Sequence, residues 1–385
     1  MKKIYLDNNA TTPLDPRVYE AMLPHLKENF GNPSSIHTFG RSAKAALDKA
    51  REQVAGLVSA RLKEIVFTSG GSESNNYAIK GAALNQRDRG KTHLITTRVE
   101  HESALYTFRY LESEGLRVTY LGVDDRGMID LDELRDSITD ETALVSCMYA
   151  NNETGVVMPV GEIAEIVKEK GALFHTDAVQ AAGKLDIDLN EIKADLLSIS
   201  AHKIYGPKGT GALFIRSDPA QESILRILIH GGGQERGKRS GTENLPGIVG
   251  FGEACEIAQK EVARDRERIK PLRDALRERI TNEIPGVRYH GDPDNMLWNT
   301  LNASFSGVKG ESLAMNLDIE GIAVSTGAAC SEGKVDPSHV LRAMGASKEE
   351  AASSVRFSLG RITEKEDIDI VTKKLPGIVS RIRSV

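Results

Sequence analysis

Asp177 and Lys203 are the two side chains from which the chemistry of this 385-residue chain is most directly read. Each lies just beyond a β-rich run, Asp177 in ALFHTDAVQ and Lys203 in LLSISAHKIYGPKGTG. A sheet that sets those runs side by side brings a carboxylate and an amine out on one edge. A buried lysine can lose its proton and form a Schiff base, and a carboxylate facing a pyridine nitrogen keeps that nitrogen protonated and the ring electron-poor. These are the two groups that pyridoxal phosphate requires most of a protein. Ser200 and His202 flank the lysine within reach of a phosphate, and Gln180, three residues after Asp177, can donate to a phenolic oxygen. Taken singly, each of these is more often a solvated loop residue; it is the set that points to the cofactor.

Three further segments carry candidate chemistry. In TSGGSESNN, the backbone amides from Gly70 to Glu73 and the Ser72 hydroxyl stand where an anion binds at a helix N-terminus. The alternative there is a plain helix cap made by Ser72 or Ser74. Neither GxGxxG nor GxxxxGK[ST] is present in that loop, which removes the main support for a dinucleotide or nucleoside triphosphate. His101, in TTRVEHESA, opens a helical pattern; it either stacks on a flat ring and shuttles protons or serves as a capping or core histidine. Cys330 sits in VSTGAACSEGKVDPSH, a stretch of small residues read as a mobile loop carrying a thiol, or as a tight turn. Cys147, in ALVSCMYA, reads as a buried strand residue and Cys255, in GEACEIAQ, as a helix-face residue.

The elements that must position these groups follow from periodicity. EIVFTS, THLITT, LRVTYLGV, ALVSCMYA, ALFHTD, DLLSIS and GALFIR are β-rich and alternate with helical segments such as HESALYTFRYLESEG and VGEIAEIVKEKG. That rhythm predicts a large, mostly parallel α/β/α sheet domain over residues 13–258. From about residue 256 a long charged helix, IAQKEVARDRERIKPLRDALRERI, leads into shorter elements and a final amphipathic helix, EDIDIVTKKLPGIVSRIRSV. Residues 259–385, with 1–12, are expected to form a smaller α+β domain that carries the cysteine loop, the long helix bridging the two. The three cysteines lie far apart without a CxxC pair, which excludes a disulfide framework and a zinc ribbon and fits a reducing, cytoplasmic setting. Fifty basic against 55 acidic residues, a net charge of -5, give no bulk positive field for nucleic acid or an anionic membrane. Arg236, Lys238 and Arg239 form a local basic patch, read most simply as bordering an anionic cofactor. No run approaches the 18 or so apolar residues of a membrane span.

With LDNNATTP, GNPSSIH, TSGGSESNN, EHES, NNETG, HTDAVQ, SAHKIYGPKGTG, GGGQERGKRSGTEN, STGAACSEG and SVRFSLGR in that order, the sequence resembles the cysteine desulfurases of the NifS/IscS type, over nearly its whole length. The resemblance implies a pyridoxal-phosphate enzyme of fold type I. It also implies a homodimer that takes sulfur from L-cysteine, releases L-alanine and holds the sulfur as a persulfide for iron-sulfur cluster assembly or another acceptor. Carried over position by position, it makes Lys203 the Schiff-base lysine, His101 the ring-stacking acid and base, Asp177 the pyridinium partner and Gln180 the phenolate contact. Asn152 would also touch the cofactor, and Gly71, Ser72, Ser200 and His202 would bind its phosphate, with Thr242 reaching it from the other subunit. Arg356 would clamp the substrate carboxylate with Asn32 nearby, and Cys330 would receive the sulfur. SEGKVDPSHVL after Cys330 is close to the family's long, mobile cysteine loop, the form able to serve several acceptors. The chain stops within about 25 residues of SVRFSLGR, so the longer tail by which housekeeping members dock their scaffold is expected to be missing. Two other readings stand beside this one: a different lyase or aminotransferase of the same fold with Cys330 incidental, and a sulfur-carrier platform that keeps the fold only as architecture.

Overall fold

A computed structural model describes residues 2–217, 223–327, 329–331 and 334–384, and of 329–331 and 334–336 the backbone alone. After a short strand β1 (Ile4–Tyr5), seven strands build the main sheet: β2 (Ile65–Thr68), β3 (His93–Thr97), β4 (Arg117–Leu121), β5 (Thr142–Ser146), β6 (Leu173–Asp177), β7 (Leu196–Ser200) and β8 (Gly211–Ile215). These coincide with the seven β-rich runs of the sequence. Their order in space is β2-β8-β7-β6-β5-β3-β4. Pairings among β4, β3, β5, β6 and β7 are parallel, whereas β8 runs antiparallel to both β7 and β2. The reversal has a local cause: only residues 201–210 separate β7 from β8, too few for the crossover of a dozen or more residues that parallel neighbours need. Lys203 lies inside that short connection.

Alternation along the strands sorts side chains into two apolar layers. Ile65 and Phe67, Ile95, Val145, Leu197 and Phe214 face one layer, while their neighbours Val66, Leu94, Leu144, Leu196 and Leu213 face the other. The first layer is covered by helices α1 (Pro16–Lys27), α2 (Thr38–Leu57) and, further on, α5 (Leu131–Ser137), α6 (Val160–Glu169) and α7 (Leu189–Ile192). The second is covered by α3 (Gly71–Arg87) and α4 (Glu102–Ser113). A sheet buried on both faces has near-continuous apolar strands, which is why these runs were so visible.

Helix α8 (Leu245–Glu283) is 39 residues long, about 58 Å at the α-helical rise. It begins at Leu245 rather than at Ile257, where the charged pattern starts. The added turns carry glycines because other elements press against them: a Cβ on Gly252 would lie 2.7 Å from Ala50 Cα, and one on Gly250 2.6 Å from Met22 Sδ. Leu245, Phe251 and Cys255 of α8 belong to the first apolar layer, whereas Ile269, Leu276 and Ile280 belong to a separate core. That second core gathers β9 (Val287–His290), β10 (Thr300–Phe305), α9 (Gly310–Ile319) and β11 (Ile322–Ala323), and it also holds β14 (Ser354–Ser358) and α12 (Lys365–Arg383). Ile4 and Leu6 enter it from the other end of the chain, through parallel pairing of β1 with β11. Between β11 and β14 lie β12 (Ala329–Ser331), paired antiparallel with β13 (Lys334–Asp336), then α10 (His339–Ala343) and α11 (Lys348–Ala352).

Candidate active site

Because β6 and β7 are adjacent and parallel, Asp177, the last residue of β6, and Lys203, just past β7, emerge on one edge of the sheet. They line a cavity of about 400 Å³ together with His101, Asn152, Gln180 and Arg356. Gly71, Ser72, Ser200 and His202 complete the wall at the start of α3. Ten of the thirteen residues singled out from the sequence therefore meet in one place.

Lys203 Nζ donates to the backbone carbonyls of Asn9 and Ala10, the latter at 2.7 Å. Burial, and then the nearby Arg356 cation, push its ammonium down to about 8, against the pull of Asp7 and Asp177. Its turn is pinned by Tyr205, which has φ 65° and whose hydroxyl accepts from the Arg361 backbone N–H at 2.7 Å. A left-handed tyrosine is strained and persists only where its surroundings hold it; here the Arg361 guanidinium lies 4.5 Å from its ring centre. Asp177 accepts from Asn75 Nδ2 at 2.6 Å and from the Val179 backbone N–H at 2.9 Å, which fixes the carboxylate plane toward the cavity.

His101 is the N-cap of α4, its Nδ1 accepting from the Ser103 backbone N–H at 3.1 Å, and its ring also lines the cavity. That acceptor role assigns the ring proton to Nε2. At the other end, α3 has Gly70 at its N-cap position and so no side-chain cap, and Ser74 Oγ bonds Thr68 Oγ1 at 2.8 Å instead of capping. The free N–H groups of the first turn thus suit an anion. A Cβ on Gly71 would come 2.7 Å from Val179 Cγ2, so glycine keeps this cradle open. His202 is held near 4 by burial and the cations of Lys203, Lys208 and Lys184, and is a neutral imidazole at pH 7.

Four lining residues carry buried polar atoms without a partner: Asn75 Oδ1, Ser200 Oγ, Asn152 Oδ1 and Arg356 Nε. Buried polar atoms are almost always satisfied, so four orphans around one cavity describe a ligand's outline. The hydroxyl beside the α3 N-terminus fits a phosphate, and Asp177 and Lys203 fit a protonated pyridine ring bearing an aldehyde. Arg356 already bonds Asp7 Oδ1 and the Asn152 carbonyl, both at 2.8 Å, leaving Nε to a carboxylate.

A second cavity of about 350 Å³ shares His101, Asn152 and Arg356 with the first and runs to Gly327 and Ser338, on either side of Cys330. The Cys330 side chain lies outside the described residues, while the backbone there, read as a mobile loop or a tight turn, pairs as β12 with β13. Asn32 is exposed, its Oδ1 accepting from the Ser34 backbone N–H at 2.9 Å, and lines neither cavity. Thr242 is also exposed and outside both. Of the basic patch, Arg239 is spent on Glu73 at 2.8 Å and Arg236 donates to the Ile65 carbonyl at 2.8 Å. Cys147 and Cys255 are buried, and burial pushes both thiols well above their ordinary range.

Sequence reasoning missed Asp7, Asn9 and Asn75. The carbonyl of Asn9 carries no side-chain signal, and Asn75 reaches Asp177 only through the packing of α3 on the sheet. Glu100 was also passed over: it is wholly buried, its Oε1 accepting from Thr97 Oγ1 at 2.7 Å and the Met148 N–H at 2.9 Å, and burial raises it to about 8. Among the described residues, no group of side chains could hold a metal ion and no helix is long and apolar enough to cross a membrane.

The model of the family described as aminotransferase class-V matches residues 4–371. A cysteine desulfurase IscS of Clostridium botulinum is 48% identical over 386 aligned residues, covering 100% of this chain and 96% of its own. Among solved structures, a NifS-like protein superposes with a TM-score of 0.92 at 41% identity, over 99% of this chain and 100% of its own. SspA in complex with cysteine gives 0.82 at 40% identity, over 93% and 99%. The α/β architecture is accordingly that of fold type I of the pyridoxal-phosphate enzymes. On this sequence and this cavity, the chain belongs to the aminotransferase class-V family and, within it, to the pyridoxal-phosphate-dependent cysteine desulfurases.

Proposed function

We propose that the protein converts L-cysteine to L-alanine and passes the sulfur to Cys330 as a persulfide. The observation that carries this is the convergence of Lys203, Asp177 and Arg356 on one cavity whose unpartnered polar atoms match a phosphate at one end and a carboxylate at the other. Ser72, Ser200, His202 and the first turn of α3 around Gly71 hold the cofactor's phosphate, Gln180 and Asn152 its ring substituents, and Asp177 its ring nitrogen. When bound, pyridoxal phosphate supplies an electron-poor ring that draws charge away from the substrate's α-carbon. Arg356 grips the substrate carboxylate and sets that carbon beside the lysine. Lys203 Nζ, at about 8 instead of its ordinary 10.5, is about 300-fold more often neutral at pH 7 and takes the α-proton. His101, with its proton on Nε2, stacks on the ring and returns a proton. The net conversion balances without an outside reductant: R–CH2–SH and the Cys330 thiol become R–CH3 and a persulfide.

The active form is proposed to be a cytoplasmic homodimer in which Thr242 completes the partner's site and Asn32 lies near the substrate; exposure of Thr242 away from its own cavity supports this. Persulfide sulfur then goes to an iron-sulfur scaffold or another acceptor by way of the Cys330 segment. We also propose a division into residues 13–258 and residues 1–12 with 259–385; the separate core of β9, β10, β14 and α12 supports it, while Val340, Leu341, Met344 and Ala351 pack into the first apolar layer.

The reading is tested by incubating the protein with L-cysteine and a thiol reductant and quantifying both products. Equal yields of alanine and sulfide are expected; pyruvate and ammonia would mean a β-lyase and would take Cys330 out of the mechanism. The lysine makes a separate prediction. Since its neutral form is the nucleophile, capture of cofactor by the apoprotein should speed up about tenfold per pH unit and level off near pH 8. Stopped-flow absorbance checks this, and a rise continuing toward pH 10 would restore Lys203 to ordinary basicity.

A further inference from the structure

Among the described residues, Lys184 is the one buried amine near the site that the mechanism leaves unused. It is 7% exposed, and among the described residues no carboxylate pairs with it. Its Nζ donates instead to two oxygens of a single residue, the backbone carbonyl of Gln180 at 3.0 Å and Gln180 Oε1 at 3.3 Å. Its own carbonyl accepts from Trp298 Nε1 at 2.8 Å, anchoring the backbone there. An ammonium buried without a counter-ion is costly, and methionine or leucine would fill the same space without that penalty.

What the lysine achieves is chemical discrimination between the two ends of an amide. Lysine offers donors, so the atom of Gln180 that faces it is the oxygen. The NH2 group then points the other way, where Nε2 donates one hydrogen to the Asn9 carbonyl at 2.9 Å and the second is left for the cavity that Gln180 lines. The same Asn9 carbonyl accepts from Lys203 Nζ. One continuous chain of hydrogen bonds therefore runs from Lys184 through Gln180 and Asn9 to the reactive lysine.

We propose that Lys184 is a positioning residue that locks the Gln180 amide as a donor toward the cofactor's ring oxygen; this rests on the proposed role of Gln180 in holding that oxygen. Burial, with the nearby Lys203 and Arg356 cations, lowers the lysine to about 7. Protonated or neutral, it retains N–H groups for both oxygens of Gln180.

The test is a double-variant cycle on cofactor binding, read by affinity and by the visible band of the bound cofactor. Lys184→Met is expected to weaken affinity about tenfold and shift the band, Gln180→Ala to do the same, and the double variant to lie within about twofold of either single change. Lys184→Gln keeps a donor for Oε1 and is expected within about twofold of the unaltered protein. Additive losses, or unchanged affinity and band in Lys184→Met, would overturn the inference. A loss in Lys184→Gln as large as that in Gln180→Ala would overturn it too, and that comparison decides the matter if Lys184→Met does not fold. No cysteine enters these measurements, so their outcome is independent of the alanine and sulfide yields.

Discussion

Replacing Lys203 with alanine is expected to lower L-cysteine turnover by about 10⁴-fold, the combined loss of a covalent anchor and a proton-transfer group. The visible band of the lysine-bound cofactor should vanish, while cofactor retained by the phosphate end remains detectable by mass after gentle desalting. The loss is not expected to be a folding effect. A lysine brought from 10.5 to about 8 disfavours the native state at neutral pH by about 3 kcal/mol. The sign follows from proton counting: between about 8 and 10.5 the unfolded chain holds a proton that the native state has lost, so this penalty is full below pH 8 and fades as pH rises to 10.5. Alanine removes it, and the released Ala10 carbonyl costs roughly 1–3 kcal/mol if left dry, whereas the Asn9 carbonyl keeps its bond from Gln180 Nε2. The two effects oppose one another, and the apoprotein's thermal midpoint should stay within a few degrees. Turnover above one part in a hundred would remove Lys203 from the chemistry.

Replacing Cys330 with alanine should abolish sulfide and alanine production together, to below about 1% of the unaltered protein, while leaving the cofactor band intact. Sulfur leaving the substrate needs a thiolate to receive it, and neither other cysteine can substitute. Cys147 and Cys255 are buried in the first apolar layer, and burial pushes their thiols far above the range in which thiolate forms at neutral pH. The segment that carries Cys330 is tied to the site at both ends. Ser325 exchanges backbone hydrogen bonds with Arg356 at 2.7 and 3.2 Å, while Ser338 Oγ donates to Glu153 at 2.5 Å and His339 Nε2 bonds the Glu100 carbonyl at 3.0 Å. Parallel assays of alanine, sulfide and absorbance check the expectation; normal turnover in the variant would hand the sulfur directly to an outside thiol.

What could be read in advance divides along a physical line. The seven strands were legible because burial selects short runs rich in apolar and β-branched residues, and Asp177 and Lys203 because loops past parallel strands share one edge. The extra turns of α8 were not, since Gly247, Gly250 and Gly252 look like helix breakers until the helix packed against them is known. Contributions from backbone atoms, such as the Asn9 carbonyl, were invisible because any residue has one. The orientation of Gln180 was hidden for a related reason: its side chain was recognised, but which end faces the cavity depends on a lysine four residues later.

The opening residues hold a last consequence. Within nine positions the chain pairs Ile4 with Ile322, ion-pairs Asp7 with Arg356 and places the Asn9 carbonyl on Lys203. During synthesis at about 5–20 residues per second, more than 300 residues must follow before Ile322 and Arg356 exist, an interval on the order of half a minute. The sheet and its lysine loop can fold well before then, but the acceptor groups for substrate cannot assemble. A nascent chain therefore has no completed site with which to release reactive sulfur, and the interleaving of its two ends acts as a timer on the birth of activity.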